Sequence, residues 1–152
     1  MWPDPRVEKL VQEEFVPVRL HVQKQAAEYK RVGEEYGAVW TPTTLMLDSS
    51  GTERHRVEGF LPTSEFLPHL EFGLGRIAFS DGEFEKAEDR FRRIVDAHPD
   101  AEVAPEALYW AGVSRYKGAK DASALSQTAA ALREKYPDST WARKASVWAR
   151  DG

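Results

Sequence analysis

The chain has 152 residues, 21 Lys+Arg against 25 Asp+Glu, a net charge of −4, and no cysteine. That length suits one compact domain or two small ones with a real core, and the acid excess argues against a nucleic-acid partner. The empty cysteine column excludes disulfides, thiolate metal sites, cysteine nucleophiles and any dithiol cycle within this chain.

Taken in chain order, Asp4-Pro5 opens a helix, with Asp4 as its cap, Pro5 at the first position, and Val7, Leu10 and Val11 on one face. Phe15 to Val22 then alternates with a period of two and is rich in valine, which predicts a strand. Gln25 to Tyr36 reads as a polar helix stopped by Gly37. Thr43 to Asp48 and Glu53 to Phe60 read as two strands joined by Asp48-Ser49-Ser50-Gly51, a hairpin signal.

From Thr63 onward the strand signals stop. The expected helices are 64–80, 83–97, 103–117, 121–135 and 139–150, punctuated by Gly82, Pro99, Gly118 and Pro137. This half also repeats itself. Gly75, Ala87 and Pro99 recur as Gly112, Ala124 and Pro137, at offsets of 37, 37 and 38. The offset of 38 also carries Ala104, Ala107, Trp110 and Ala111 onto Ala142, Ala145, Trp148 and Ala149. Paired helices repeating with a period in the thirties are a solenoid signature. The last helix lacks a partner helix, so a stripe through Ala145, Val147 and Trp148 is expected to be exposed and available to a second copy.

These positions resemble tetratricopeptide repeats, in particular the degenerate bacterial kind found in coordinator proteins of the Tol–Pal envelope system. Gly75, Ala87, Phe91 and Pro99 fit one repeat, and Gly112, Ala124 and Pro137 a second, in which Thr128 replaces the aromatic residue. The stretch from Tyr36 to Gly51, with Trp40-Thr41-Pro42-Thr43 inside it, and the following Glu53 to Gly59 resemble the C-terminal two-thirds of a thioredoxin-fold domain. The resemblance implies a cis proline at Pro42, preceded by Thr41, whose backbone would be presented to a bound peptide. The strand and Cys-x-x-Cys helix start of that family would lie upstream of position 1, and that strand would sit centrally, between the segments matching Phe15 to Val22 and Thr43 to Asp48. Its loss leaves strand edges unpaired. The expectation is a fragment, or a gene product whose true start lies upstream, unless a partner or second copy donates the strand.

The expected architecture is therefore an incomplete thioredoxin-like α/β unit over residues 1–74 and all-α tetratricopeptide-like repeats, about two and a half, over 75–152. No catalytic constellation emerges. Gly73-Leu-Gly75-Arg-Ile-Ala78 matches a dinucleotide fingerprint as written, but it follows a helix, which favours helix packing instead. His21, His55, His69 and His98 are far apart and in no metal-ligand spacing. Glu83, Glu85, Glu88 and Asp89 with Lys86, Arg90, Arg92 and Arg93 read as an ion-paired surface face. Two binding surfaces stand out: Trp40, Thr41 and Pro42 as a peptide-presenting edge, and Tyr109 with Tyr116, seven residues apart, in a helical groove.

The functional expectation is a non-catalytic protein-interaction module, with no cofactor and no metal, that holds a protein or peptide partner. The alternative is a piece of a thiol-disulfide oxidoreductase whose cysteines lie upstream. A homodimer through the unpaired sheet edge or the last helix is a further expectation. The longest stretch free of Asp, Glu, Lys and Arg, Tyr36 to Leu47, has twelve residues, short of the ~20 a spanning helix needs. The opening Met1-Trp2-Pro3-Asp4 has no signal-peptide character. The expected compartment is cytoplasmic, or periplasmic if the true start lies upstream.

Overall fold

The computed structural model describes residues 4–151. Helix α1 (Pro5–Glu14) starts where the sequence places it, because the Asp4 carboxylate accepts the Arg6 backbone N–H at 2.8 Å and Pro5 presets the first turn. Its Val7 and Val11 are buried. Helix α2 (Ala26–Tyr36) ends at Gly37, which takes the left-handed conformation (φ 62°) that closes a helix. No residue of α2 is buried. It is tied down by polar contacts: the Tyr36 hydroxyl donates to Gly51 O at 2.8 Å, and Arg56 donates to Tyr36 O.

Between these helices the expected strand over Phe15 to Val22 does not form. Residues 15–21 have no regular structure, and Val16 and Val18 are 93% and 79% exposed. Alternation marks a segment able to sit in a sheet, but a strand needs a neighbour for its backbone donors and acceptors. Among the described residues the sheet holds only β1 (Thr43–Leu47) and β2 (Glu53–Glu58), paired antiparallel. Their turn is fixed by Asp48, whose carboxylate accepts the backbone N–H groups of Ser50 and Thr52. Strand β2 stops at Glu58, two residues before the expected Phe60. There Gly59 turns to φ 84° and donates its N–H to Pro42 O at 2.7 Å, leaving Phe60 exposed.

Helix α3 (Thr63–Ser80) runs unbroken through position 74/75, so the two expected units share it and no linker separates them. Then come α4 (Phe84–Ala97), α5 (Ala104–Ala119), α6 (Ser123–Lys135) and α7 (Thr140–Ala145), the last passing into a 3-10 helix, Ser146–Asp151. Two cores lie on opposite sides of α3. A small one joins Val7, Val11, Met46, Val57, Leu67 and Leu70. A larger one runs through the helical half, with Ala87, Phe91, Ala104, Ala107, Ala111 and Leu132 at its centre.

The repeated glycines explain that second core. A Cβ on Gly75 would lie 2.6 Å from the Phe91 ring, and one on Gly112 would overlap Thr128 Oγ1. Each glycine of a first helix therefore receives the side chain sixteen residues later on the second helix: Phe91 in one repeat, Thr128 in the next. Thr128 is buried and donates its hydroxyl to Ala124 O, so the smaller side chain brings a satisfied polar group to the aromatic position. Gly73 does the same toward the sheet, where a Cβ would overlap Met46 Sδ. The dinucleotide-like Gly73-x-Gly75 is thus a packing device on two faces of α3.

Two expectations about surfaces are corrected. Arg90 is not part of an exposed ion-paired face: its side chain is buried and binds Glu14 at 3.0 Å and Glu71 at 3.5 Å, tying α4 to α1 and α3. The last helix does not present an apolar stripe. Ala145 is fully buried and Trp148 stacks on Tyr109 at 4.7 Å, because α7 and the 3-10 helix fold back against α5 and α6. Only Val147 of that stripe, 56% exposed, faces outward.

Candidate functional site

The end of the sheet carries the first candidate. The Thr41–Pro42 peptide is cis. The segment is fastened on both sides: Thr43 Oγ1 donates to Trp40 O at 2.6 Å, and the hydroxyls of Tyr29 and Thr41 lie 2.6 Å apart. With Pro42 O occupied by Gly59, no backbone hydrogen bond among the described residues reaches Thr41. Trp40, 67% exposed, stands beside exposed Val39. Thr41, Pro42 and Trp40 are thus held in place while their outer surfaces remain open.

The second candidate is divided by the structure. Tyr109 and Tyr116 both lie on α5. Tyr109 is packed under the terminal helix, 5.0 Å from the Trp141 ring and 4.7 Å from Trp148. Tyr116 is 42% exposed. Seven-residue spacing puts them on one face, but α7 covers only the Tyr109 end of it.

A cleft that the sequence did not announce lies beside this face of α5, where Trp110 meets Tyr109 edge-on at 5.8 Å between ring centres. Phe79 of α3 meets Phe84 and Trp110 edge-on, each at 5.2 Å between ring centres. The Arg76 guanidinium sits 4.2 Å over the Trp110 ring, and Lys117 Nζ lies 5.6 Å from Phe79 and 5.8 Å from Phe84. Arg54, reaching in from β2, completes an open space of about 440 Å³. Arg54 is paired with Asp48 at 2.8 Å, whereas Arg76 and Lys117 have no ion-pair partner among the described residues. Burial lowers the Arg76 pKa, and the Arg54 charge lowers it further while Glu106 opposes both. Burial raises the Glu106 carboxyl in turn. The Trp110 indole N–H is enclosed and makes no hydrogen bond of ordinary geometry.

The histidines far apart in sequence include a pair that touches. His55 Nε2 and His69 Nδ1 are 2.8 Å apart, with the rings stacked and Phe72 edge-on to His55. Burial, then the neighbouring His69 and Arg76, push His55 down to about 4, and burial also lowers His69. Both rings are therefore neutral near pH 7, and one donates to the other. The pair fastens the hairpin to α3. Among the described residues no group of three or more His, Asp or Glu side chains is arranged to hold a metal ion, and no helix is long and apolar enough to cross a membrane.

Sequence reasoning placed Trp40, Thr41 and Pro42 together but missed Arg54, Arg76, Trp110 and Lys117 as a group. The signal was partly present. Arg76 and Phe79 are three apart on α3, and Trp110 and Lys117 seven apart on α5, so each pair shares a helix face. The contribution of Arg54 depends on how the hairpin lies on α3.

Comparison with known proteins divides the chain in the same way. The family model of the thioredoxin-like domain matches residues 1–74, and that of the tetratricopeptide repeat matches residues 71–101 and 106–139. The two matches overlap within α3, the helix that both cores share. No curated protein and no solved structure matches the chain. The chain thus joins a thioredoxin-like segment without cysteine, residues 1–74, to tetratricopeptide repeats within residues 71–139.

Proposed function

We propose that this chain is a non-catalytic protein-interaction module that holds a peptide segment of a partner on its repeats. The observation that supports this reading is the rigid stack of α3, α4, α5 and α6 around a closed core, with aromatic and cationic side chains left on the open face of the two first helices α3 and α5. A redox role for the chain itself is unsupported, since it holds no thiol that could exchange electrons. The Trp40-Thr41-Pro42 edge serves as a second contact, where the free Thr41 backbone pairs with an extended segment and Trp40 covers one of its side chains. A second copy of the chain is one candidate for the open edge of β1, and light scattering over a concentration series reads that contact directly.

The test is an immobilised array of random peptides probed with the full chain. The expected result is selective capture of a subset, weakened by Tyr116→Ala or Trp40→Ala, both exposed positions whose loss leaves the fold intact. Absence of capture on every peptide contradicts the reading.

A further inference from the structure

The cleft between β2, α3 and α5 gathers three cations, Arg54, Arg76 and Lys117, on an aromatic wall of Phe79, Phe84 and Trp110. The whole protein carries a net charge of −4, so this concentration of positive charge runs against the composition. Only Arg54 of the three has an ion-pair partner among the described residues, Asp48; Arg76 and Lys117 rest on ring faces instead. Arg54 repels the partly buried Arg76, with Glu106 the opposing charge that acts on it, and an incoming anion would form charge-assisted hydrogen bonds with the arginines and with exposed Lys117.

The surroundings restrict what the anion is. Beyond Gly82 and Phe84, which line both, lies a second hollow whose walls mix Glu83, Glu85, Glu88 and Asp89 with Lys86, Arg90, Arg93 and Arg115. Acids and bases balance there, so the excess of positive charge is confined to the first cleft and favours a short anionic group over a long polyanion. A short acidic stretch with apolar neighbours meets both requirements, carboxylates toward the arginines and apolar side chains against the rings. We propose that this composite cleft, built jointly by the thioredoxin-like hairpin and the repeats, binds an acidic, apolar-flanked peptide segment, with Arg76 and Lys117 contacting its carboxylates and Phe79 and Phe84 its apolar side chain. The inference rests on the interaction-module reading and names the chemistry of its partner. It also gives the hairpin a role in the repeat surface, since Arg54 closes the side that the helices leave open.

The experiment titrates the full chain with three fluorescein-labelled decapeptides, alternating Glu/Leu, Gln/Leu and Lys/Leu, following anisotropy at low and physiological salt. The Glu/Leu peptide is expected to bind about tenfold or more tightly than Gln/Leu, with the preference shrinking as salt rises. Arg76→Gln and Lys117→Gln are each expected to weaken Glu/Leu binding about five- to tenfold, while Lys9→Gln, on the far helix α1, leaves it unchanged. Lys117 is exposed, so Lys117→Gln keeps the test intact if Arg76→Gln perturbs the fold. Equal binding of all three peptides, or binding indifferent to both substitutions, overturns the cleft assignment. So does a single-stranded oligonucleotide that binds more tightly than Glu/Leu with the same sensitivity. Selective capture on the random array without acidic preference overturns this inference alone, whereas failure of every peptide overturns the module reading as well.

Discussion

The two halves of this molecule solve the problem of burying apolar surface with unequal success. The repeat half encloses Phe91, Ile94, Leu132 and a series of alanines almost completely, by pairing helices across small residues. The α/β half buries six side chains in its cluster yet leaves Val16, Val18, Val39, Trp40 and Phe60 largely in solvent. Its helix α2 is held by hydrogen bonds from Tyr36 to Gly51, from Arg56 to Tyr36 and between Tyr29 and Thr41 rather than by buried apolar surface. The difference follows from the kind of element. A helix satisfies its own backbone and needs a neighbour only along one stripe, so each helix pair closes locally. A strand needs partners for both its edges and its faces, so a sheet of two strands leaves apolar residues uncovered.

The sharpest way to test that contrast is to damage each half and compare. Phe91→Ala removes a ring that is fully buried against Gly75 and Phe72, and should cost about 3–5 kcal/mol in urea unfolding. A cost below about 1 kcal/mol would mean that the repeat core is not the source of stability.

The junction should respond to pH. A folded His55 that titrates near 4 stays neutral while the unfolded imidazole, at 6.5, takes up a proton, so the unfolded state gains protons first as pH falls. Stability is full above pH 6.5 and is lost between there and about 4, by up to about 3 kcal/mol if the whole shift is realised. Urea midpoints at half-unit pH steps check this, and His55→Leu should flatten the slope in that window. A slope unchanged by the substitution would place the acid sensitivity elsewhere.

Gly112→Ala tests the repeat from the other direction. Its new Cβ meets Thr128, so despite the gain in helix propensity the variant should lose about 1–3 kcal/mol, most of it restored in Gly112→Ala/Thr128→Ala. Additive losses in the double variant would show that the two side chains do not meet. Val16→Ser and Val18→Ser should do least, within about 0.5 kcal/mol, because folding buries neither residue.

These contrasts also show where the sequence was readable. Asp4 and Gly37 mark helix ends through local chemistry, and both are seen in those roles. Offsets of 37 and 38 expose the repeat because the close approaches at Gly75 and Gly112 recur with it. The strand over Phe15 to Val22 was misread because alternation reports what a segment can pair with, and no described strand lies beside it. Arg90 was misread by its charge. It follows Ala87 by three positions and precedes Ile94 by four, which puts it on the core face of α4, where Glu14 and Glu71 receive it. Tyr109 turned inward because the terminal helix folds back on α5, and the contact of His55 with His69 depends on how the hairpin settles on α3. None of these tertiary placements has a local signature.

Hydrogen exchange on the full chain, free and with an array-selected peptide, tests the account most directly. The expected result is slow, cooperative exchange across α4 to α6 in both states, rapid exchange over residues 15–21, and added protection on binding around residues 76–82 and 110–118. Uniform protection of both halves in the free chain, or added protection confined to α4 and α6, would contradict it.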